Sequence, residues 1–264
     1  MKKGETILPF EIEPANAALT AHGGLLLPCE MALALKLAEV IDKELPRPGS
    51  GRGYKASEFV IPMILMLHGG GKKLDDLREI EAEVNLRSLL GVKGLPASCT
   101  VGDWLRRMGQ DGLGLAGMER VDNHMIREGL KRDKRTEYTL DVDAVVIESE
   151  KEDAQWTYKK EKGYQPLLGF LFEPGLLIHD EFRDGNVPAG RGIKAFLASC
   201  CQQMPQGKRI GYFRSDSAGY QAEVINYCTG NGLLFSITGD KDRAVMKAIK
   251  TIKEEEWEEY QKGR

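Results

Sequence analysis

Two aspartates carry the chemistry this sequence could perform. Asp143 sits within the β-branched run YTLDVDAVVIES, and Asp216 ends the run RIGYFRSD, after Ile210, Tyr212 and Phe213. A carboxylate among apolar strand residues costs free energy unless it is paired, hydrogen-bonded or bound to a cation. Two brought together cost more, because like charges about 4 Å apart repel by roughly 4 kcal/mol at an effective dielectric near 20. A divalent ion shared between them relieves both costs. Carboxylate oxygens without histidine or thiolate partners select hard ions, Mg²⁺ or Mn²⁺. Such ions activate a water or 3′-hydroxyl for attack on a phosphodiester and stabilise the leaving oxygen. The alternative reading makes Asp143 an edge-strand charge and Asp216 a turn or N-cap residue before a helix starting near Ala218. Asp141 shares the face of Asp143, since strand side chains repeat every two residues, and is a candidate further ligand or an outer partner.

The elements that must position these residues follow from periodicity. Up to residue 135 the pattern is helical. Leu33, Leu37, Val40 and Ile41 recur at three- and four-residue spacing, PRPGSGRG (46–53) breaks the pattern, and Ser57–His68 reads as a buried helix with Ser57 as N-cap. Leu74, Leu77, Ile80 and Val84 line one face of a further helix closed by Leu89, Leu90 and Gly91, and Ser98 or Thr100 can cap a helix carrying Trp104, Arg106 and Arg107. From Tyr138 the period becomes that of strands: YTLDVDAVVIES, then QPLLGFLFEP and GLLIHDEFR joined at Pro174-Gly175, a helix over 192–204, RIGYFRSD, a helix over 220–229, and LLFSIT. The order βββαβαβ, with an antiparallel meander and right-handed crossovers, predicts an α/β ribonuclease-H-like mixed sheet of spatial order 3-2-1-4-5. In that order the first and fourth strands are neighbours, so Asp143 and Asp216 converge. The expected domains are a helical part, 1–135, and a catalytic core, 136–264.

Composition sets bounds. The net charge is -3 and the sequence pI about 5.9, which argues against a protein that coats DNA non-specifically. Basic residues nevertheless cluster at Arg127, Lys131, Arg132, Lys134 and Arg135, and these with Arg106 and Arg107 are candidate phosphate contacts, a solvated helix end being the alternative for the cluster. The five cysteines lack CxxC spacing and are expected as reduced thiols. No run of eighteen apolar residues occurs, and the opening MKKGETILPFEIEP carries acids and prolines, so no membrane span or signal peptide is expected and the cytoplasm is the expected compartment. His22, His68, His124 and His179 lack ligand spacing. The glycines at 49, 51, 53 and 69–71 are not followed by the GKS or GKT of a phosphate loop. Trp156, Tyr158, Lys159 and Lys160 form an aromatic and basic cluster, suited to stacking on a base or to packing in a hairpin.

The segments LDVDAVVIESEK, YQPLLGFLFEPGLLIHDEFRDGNVPAGRG and RSDSAGYQAEVINYC resemble the DDE transposases of the IS1380 group, relatives of the IS4 family. The likeness extends to HGGGKKLDDLREIEAEVNLRSLLG and LPASCTVGDWLRRM, nearly the whole chain. The resemblance implies that Asp143, in a D-x-D-x-T-like run, and Asp216, in an R-x-D-S-like run, are catalytic and hold Mg²⁺ or Mn²⁺; Val145 stands where the family has threonine. Arg183 and Asn186 match an R-x-G-N-like turn, with Asp184 and Gly185 between them, and are expected as supports. Family members run longer, which implies a core incomplete at its C-terminus, before the third carboxylate. Glu254, Glu255, Glu256, Glu258 and Glu259 lie in a charge run expected to be a solvated helix, so no third ligand is assigned. The implied activity is cleavage of double-stranded DNA at transposon ends followed by attack of the 3′-hydroxyl on target DNA, by a homodimer associated with the nucleoid. The alternatives are an inactive DNA-binding or dimerising fragment and a compact ribonuclease-H-like nuclease.

Overall fold

The computed structural model describes residues 20–47, 53–89 and 94–258. Residues 48–52 of the expected loop, including Gly49 and Gly51, lie outside the described residues, as do Leu90, Gly91 and Glu259. The chain divides into two compact units between Val121 and Asp122.

The first unit is helical. Helices α1 (Leu26–Ala34) and α2 (Leu37–Glu44) are separated at Lys36, whose φ of 52° interrupts the apolar periodicity that spans both. Helix α3 (Ser57–His68) begins one residue earlier than expected: Ala56 is its N-cap, and buried Ser57 donates its amide to Asp42 Oδ1 at 2.8 Å. The next amphipathic stretch splits at Glu83 into α4 (Leu77–Ala82) and α5 (Val84–Leu89). Neither Ser98 nor Thr100 caps α6 (Ser98–Gln110); Ala97 holds that position, and the Ser98 hydroxyl instead donates to Asp75 Oδ1 at 2.7 Å. Phe59 of α3 and Trp104 of α6 stack with ring centroids 4.9 Å apart and pin these two helices together. The division of the chain falls within α7 (Leu113–Lys131).

The second unit is built on a five-stranded sheet. Its strands are β1 (Glu137–Ala144), β5 (Leu167–Leu171), β6 (Leu176–Glu181), β7 (Arg209–Ser215) and β8 (Leu234–Ile237), in the spatial order β6-β5-β1-β7-β8. β5 is antiparallel to β1 and β6, whereas β7 is parallel to β1 and β8. This is the 3-2-1-4-5 arrangement expected from the sequence, reached through helices α8 (Ile193–Gln203) and α9 (Ala222–Gly230). The run YTLDVDAVVIES is not one strand. It breaks after Ala144, and β2 (Ile147–Glu148) joins β3 (Gln155–Trp156) and β4 (Lys162–Tyr164) in a small second sheet of order β2-β4-β3.

One face of the large sheet carries the core. Tyr138, Leu140 and Val142 of β1, Leu167 and Leu171 of β5, Ile178 of β6 and Phe213 of β7 are buried against Ile126 and Leu130 of α7, Phe196, Leu197 and Cys200 of α8, and Val224 and Cys228 of α9. Each such side chain contributes about 1.5–3 kcal/mol by leaving water. All five cysteines are free, and burial pushes the Cys228 thiol up to about 11, so it stays protonated and unreactive. Half-buried His179 packs on the Phe196 ring at 4.8 Å between centroids, and its Nδ1 lies 3.1 Å from Nε2 of Gln203. Among the described residues no helix is long and apolar enough to cross a membrane.

Candidate active site

The opposite face of the sheet holds the charged residues. Along β1 the side chains alternate: Tyr138, Leu140 and Val142 point into the core, so Thr139, Asp141 and Asp143 point the other way. On β7 strict alternation from buried Ile210 would send Arg214 and Asp216 into the core. A bulge prevents this. Tyr138 pairs with Ile210 but Thr139 pairs with Tyr212, so Gly211 is the extra residue and the phase reverses after it. Phe213 therefore turns inward, and Tyr212, Arg214 and Asp216 turn outward with Asp141 and Asp143. Gly211 fits because it has no side chain: a Cβ there would lie 2.4 Å from Cγ of Glu137.

The parallel register places Asp141 beside Arg214 and Val142 beside Ser215. The ladder ends there: Asp143 and Asp216 are the residues next after its last pair, and Asp216 keeps extended backbone angles, φ -69° and ψ -166°. Both are exposed, and each is fixed through one oxygen: Asp143 Oδ1 accepts from the Ala144 amide at 2.8 Å, and Asp216 Oδ1 from the Ala218 amide at 2.9 Å. Asp216 is thus the N-cap of a single 3₁₀ turn, Ser217–Gly219, as the capping alternative has it.

Asp141 is committed elsewhere. Both of its oxygens are taken by Arg214, from Nε and Nη2 at 2.6 Å each, and the same hydrogen bonds drive the guanidinium pKa further up. The Arg214 guanidinium lies over the Phe172 ring, 4.3 Å from its centroid. Glu173, next to it, accepts from the Thr139 amide at 3.0 Å and from its hydroxyl at 2.8 Å. Partial burial pushes the Glu173 carboxyl up, but the Thr139 hydrogen bonds outweigh it and hold the pKa below the usual range.

The turn after β6 abuts this end of the sheet. Arg183 is buried and ion-paired to Glu181, with Nε 3.1 Å from Oε1. A Cβ at Gly185 would fall 2.5 Å from the carbonyl oxygens of Gln155 and Gly163, so the turn seats on the small sheet by backbone. Asn186 is exposed. Further along, Gln221 donates to the Gly190 and Ala218 carbonyls at 2.6 Å and ties that loop to the turn following Asp216. Trp156 and Tyr158 are 63% and 73% exposed, so the hairpin-packing alternative for them is set aside.

Glu254–Glu256 form an exposed 3₁₀ turn and Glu258 is exposed, and among the described residues no group of three or more His, Cys, Asp and Glu could hold an ion. Arg106 pairs with Asp103 and, with Arg107, belongs to the first unit, whereas Arg127, Lys131, Arg132, Lys134 and Arg135 belong to the second. Lys131 pairs with Glu128 at 3.5 Å and Arg135 with Asp133 at 3.1 Å, both surface ion pairs.

Comparison with known proteins gives the following. The chain resembles the catalytic core domain of HTLV-2 integrase in complex with magnesium, at 16% identity over 45% of this chain and 77% of that one, with a TM-score of 0.26. It resembles the piggyBac transposase in a synaptic complex with hairpin DNA, at 12% identity over 87% of this chain and 54% of that one, with a TM-score of 0.43. It resembles the Mos1 mariner paired-end complex with Mn, at 12% identity over 86% and 73% of the two chains, with a TM-score of 0.29. The chain thus spans about half the length of the piggyBac protein. At these scores the fold rests on the strand order itself rather than on the superpositions. No curated protein sequence matches the chain. The family model "Transposase DDE domain group 1" matches residues 11–264, and the chain accordingly belongs to the DDE transposases.

Proposed function

We propose that Asp143 and Asp216 are the two aspartates of the DDE set and that this unit cuts and joins DNA at transposon ends with Mg²⁺ or Mn²⁺. The observation that supports this most is the placement of Asp143 and Asp216, both exposed, directly after the last pair of the parallel β1–β7 ladder. The residues fit a hard divalent ion: the donors are carboxylate oxygens only, and each aspartate is oriented by a backbone amide. Such an ion, when bound, lowers the pKa of the attacking hydroxyl and stabilises the leaving oxygen. The chain supplies the alignment. The β1–β7 ladder fixes the separation of the two carboxylates, and the amides of Ala144 and Ala218 fix their rotation.

The third carboxylate of the set is proposed to lie outside the described residues, since Glu254–Glu256 stand in a solvated turn. The segment likenesses favour the IS1380 group within the family. Double-stranded DNA at transposon ends and at the target is the proposed partner, with Arg106, Arg107, Arg127, Lys131, Arg132, Lys134 and Arg135 as phosphate contacts, in a homodimer associated with the nucleoid. Each of these charges that meets a phosphate steepens the salt dependence of binding by about 0.9 in log–log slope.

The test is Mn²⁺ binding followed by electron paramagnetic resonance, together with retention of a transposon-end duplex in a gel. Wild type is expected to bind Mn²⁺ weakly, in about the millimolar range because two carboxylates leave coordination incomplete, and Asp143→Asn and Asp216→Asn to lose that binding. Equal binding by all three proteins would remove the metal assignment. The duplex is expected to be retained at low salt by all three.

A further inference from the structure

The Arg214 guanidinium stands on the same face as Asp143 and Asp216, two residues before the second of them and diagonally across the ladder from the first. A free guanidinium there has the reach and the charge to bind either carboxylate, and it would do so in competition with a divalent ion. It is not free. Asp141 takes it with both oxygens at 2.6 Å, and the Phe172 ring lies under it at 4.3 Å. The direction of that hold matters. Phe172 donates its amide to the Thr139 carbonyl at 2.9 Å, so the aromatic shelf lies beside Thr139, four residues back along β1 from Asp143. Ion pair and ring together draw the guanidinium toward the start of β1 and away from the two aspartates.

We propose that Asp141 is a positioning residue that parks Arg214, keeping its guanidinium off Asp143 and Asp216 so that these remain available to a divalent cation. The inference rests on the assignment of Asp143 and Asp216 as the ion's ligands. It makes Asp141 neither a ligand nor a mere clamp between β1 and β7. A ligand would be lost for good when changed to asparagine, and so would a clamp. A parking residue can be dispensed with once there is nothing left to park.

The experiment is a Mn²⁺ titration of the full chain by electron paramagnetic resonance, with near-ultraviolet circular dichroism to show that each variant is folded. Asp141→Asn is expected to weaken Mn²⁺ binding at least tenfold, because Arg214 turns to the neighbouring carboxylates. The double variant Asp141→Asn/Arg214→Gln is expected to return to within threefold of wild type. Arg214→Gln alone is expected to bind no more weakly than wild type, and this arm decides the matter if Asp141→Asn does not fold. Unchanged binding by Asp141→Asn, a double variant as weak as the single one, or a loss of more than threefold in Arg214→Gln would each overturn the proposal. Failure of wild type to bind, or undiminished binding by Asp143→Asn, would instead remove the ligand assignment beneath it.

Discussion

The two faces of the five-stranded sheet are made by the same strands and obey different rules. On the inner face Tyr138, Leu140, Val142 and Phe213 are buried against three helices, and at Leu140, Val142 and Phe213 an apolar side chain of suitable volume would serve the fold. On the outer face Asp141 and Arg214 form a cross-strand ion pair, with Asp143 and Asp216 two residues further along their chains, and there the identity of each charge matters. Stability is concentrated on the first face and chemistry on the second. The two are joined at Gly211, because the bulge decides which β7 residues go to which face.

This contrast can be broken in four ways. Gly211→Val should have the largest effect: a side chain there would meet Glu137 Cγ at 2.4 Å and oppose the bulge, and strict alternation through position 211 then sends Phe213 outward and Asp216 inward, exchanging the two faces along β7. The expected result, read by thermal melting, is loss of a cooperative transition. A folded variant that still bound Mn²⁺ would show that the bulge does not set the phase. Next, Phe213→Ala should destabilise the chain by about 3–5 kcal/mol in denaturant unfolding, the usual range for emptying a buried aromatic site. A loss under about 1 kcal/mol, within the range of ordinary surface substitutions, would mean the inner face is not the core.

Glu173→Gln should act more mildly, costing about 1 kcal/mol at neutral pH for two hydrogen bonds to a partly exposed carboxylate. Its folded pKa is depressed, so its contribution is complete above the ordinary carboxylate range near 4.3 and is lost as the pH falls through the folded value. The gap between wild type and variant should therefore narrow on acidification, and a gap that widened would reverse the sign assigned to Glu173. Last, Asp143→Asn should change stability by less than about 0.5 kcal/mol, because the residue is exposed. The same variant should nevertheless lose Mn²⁺. A large stability loss would give Asp143 a structural role and weaken the separation of the two faces.

Much of the second unit was legible because its strands are long enough to show their period. β1 and β5 each bury alternate residues over five positions, and β-branched and aromatic side chains mark them. The small sheet was not legible. β2, β3 and β4 are two or three residues long and mostly polar, and they exist through pairing with one another rather than through their own propensity. In the first unit the left-handed Lys36 and the break at Glu83 interrupt apolar patterns that run on unaltered, since backbone conformation there answers to packing rather than to composition.

At the site, Asp143 and Asp216 could be picked out from strand placement alone. The Gly211 bulge could not, because Ile210 and Tyr212 are both compatible with one face until the pairing is seen. The Asp141–Arg214 pair was missed, though a signal was present. Each stands two residues before one of the aspartates, so a parallel ladder that levels Asp143 with Asp216 must level Asp141 with Arg214 as well, and opposite charges at that spacing pair.

The central claim is that Asp143 and Asp216 hold one cation between them, and anomalous scattering from a Mn²⁺-soaked crystal tests it most directly. A peak within ligand distance of both carboxylates, about 2.0–2.2 Å for a hard ion, and clear of Asp141 is the result the account predicts. A peak at Glu254–Glu256, a peak touching only one aspartate, or occupation of Asp141 in place of either would contradict it.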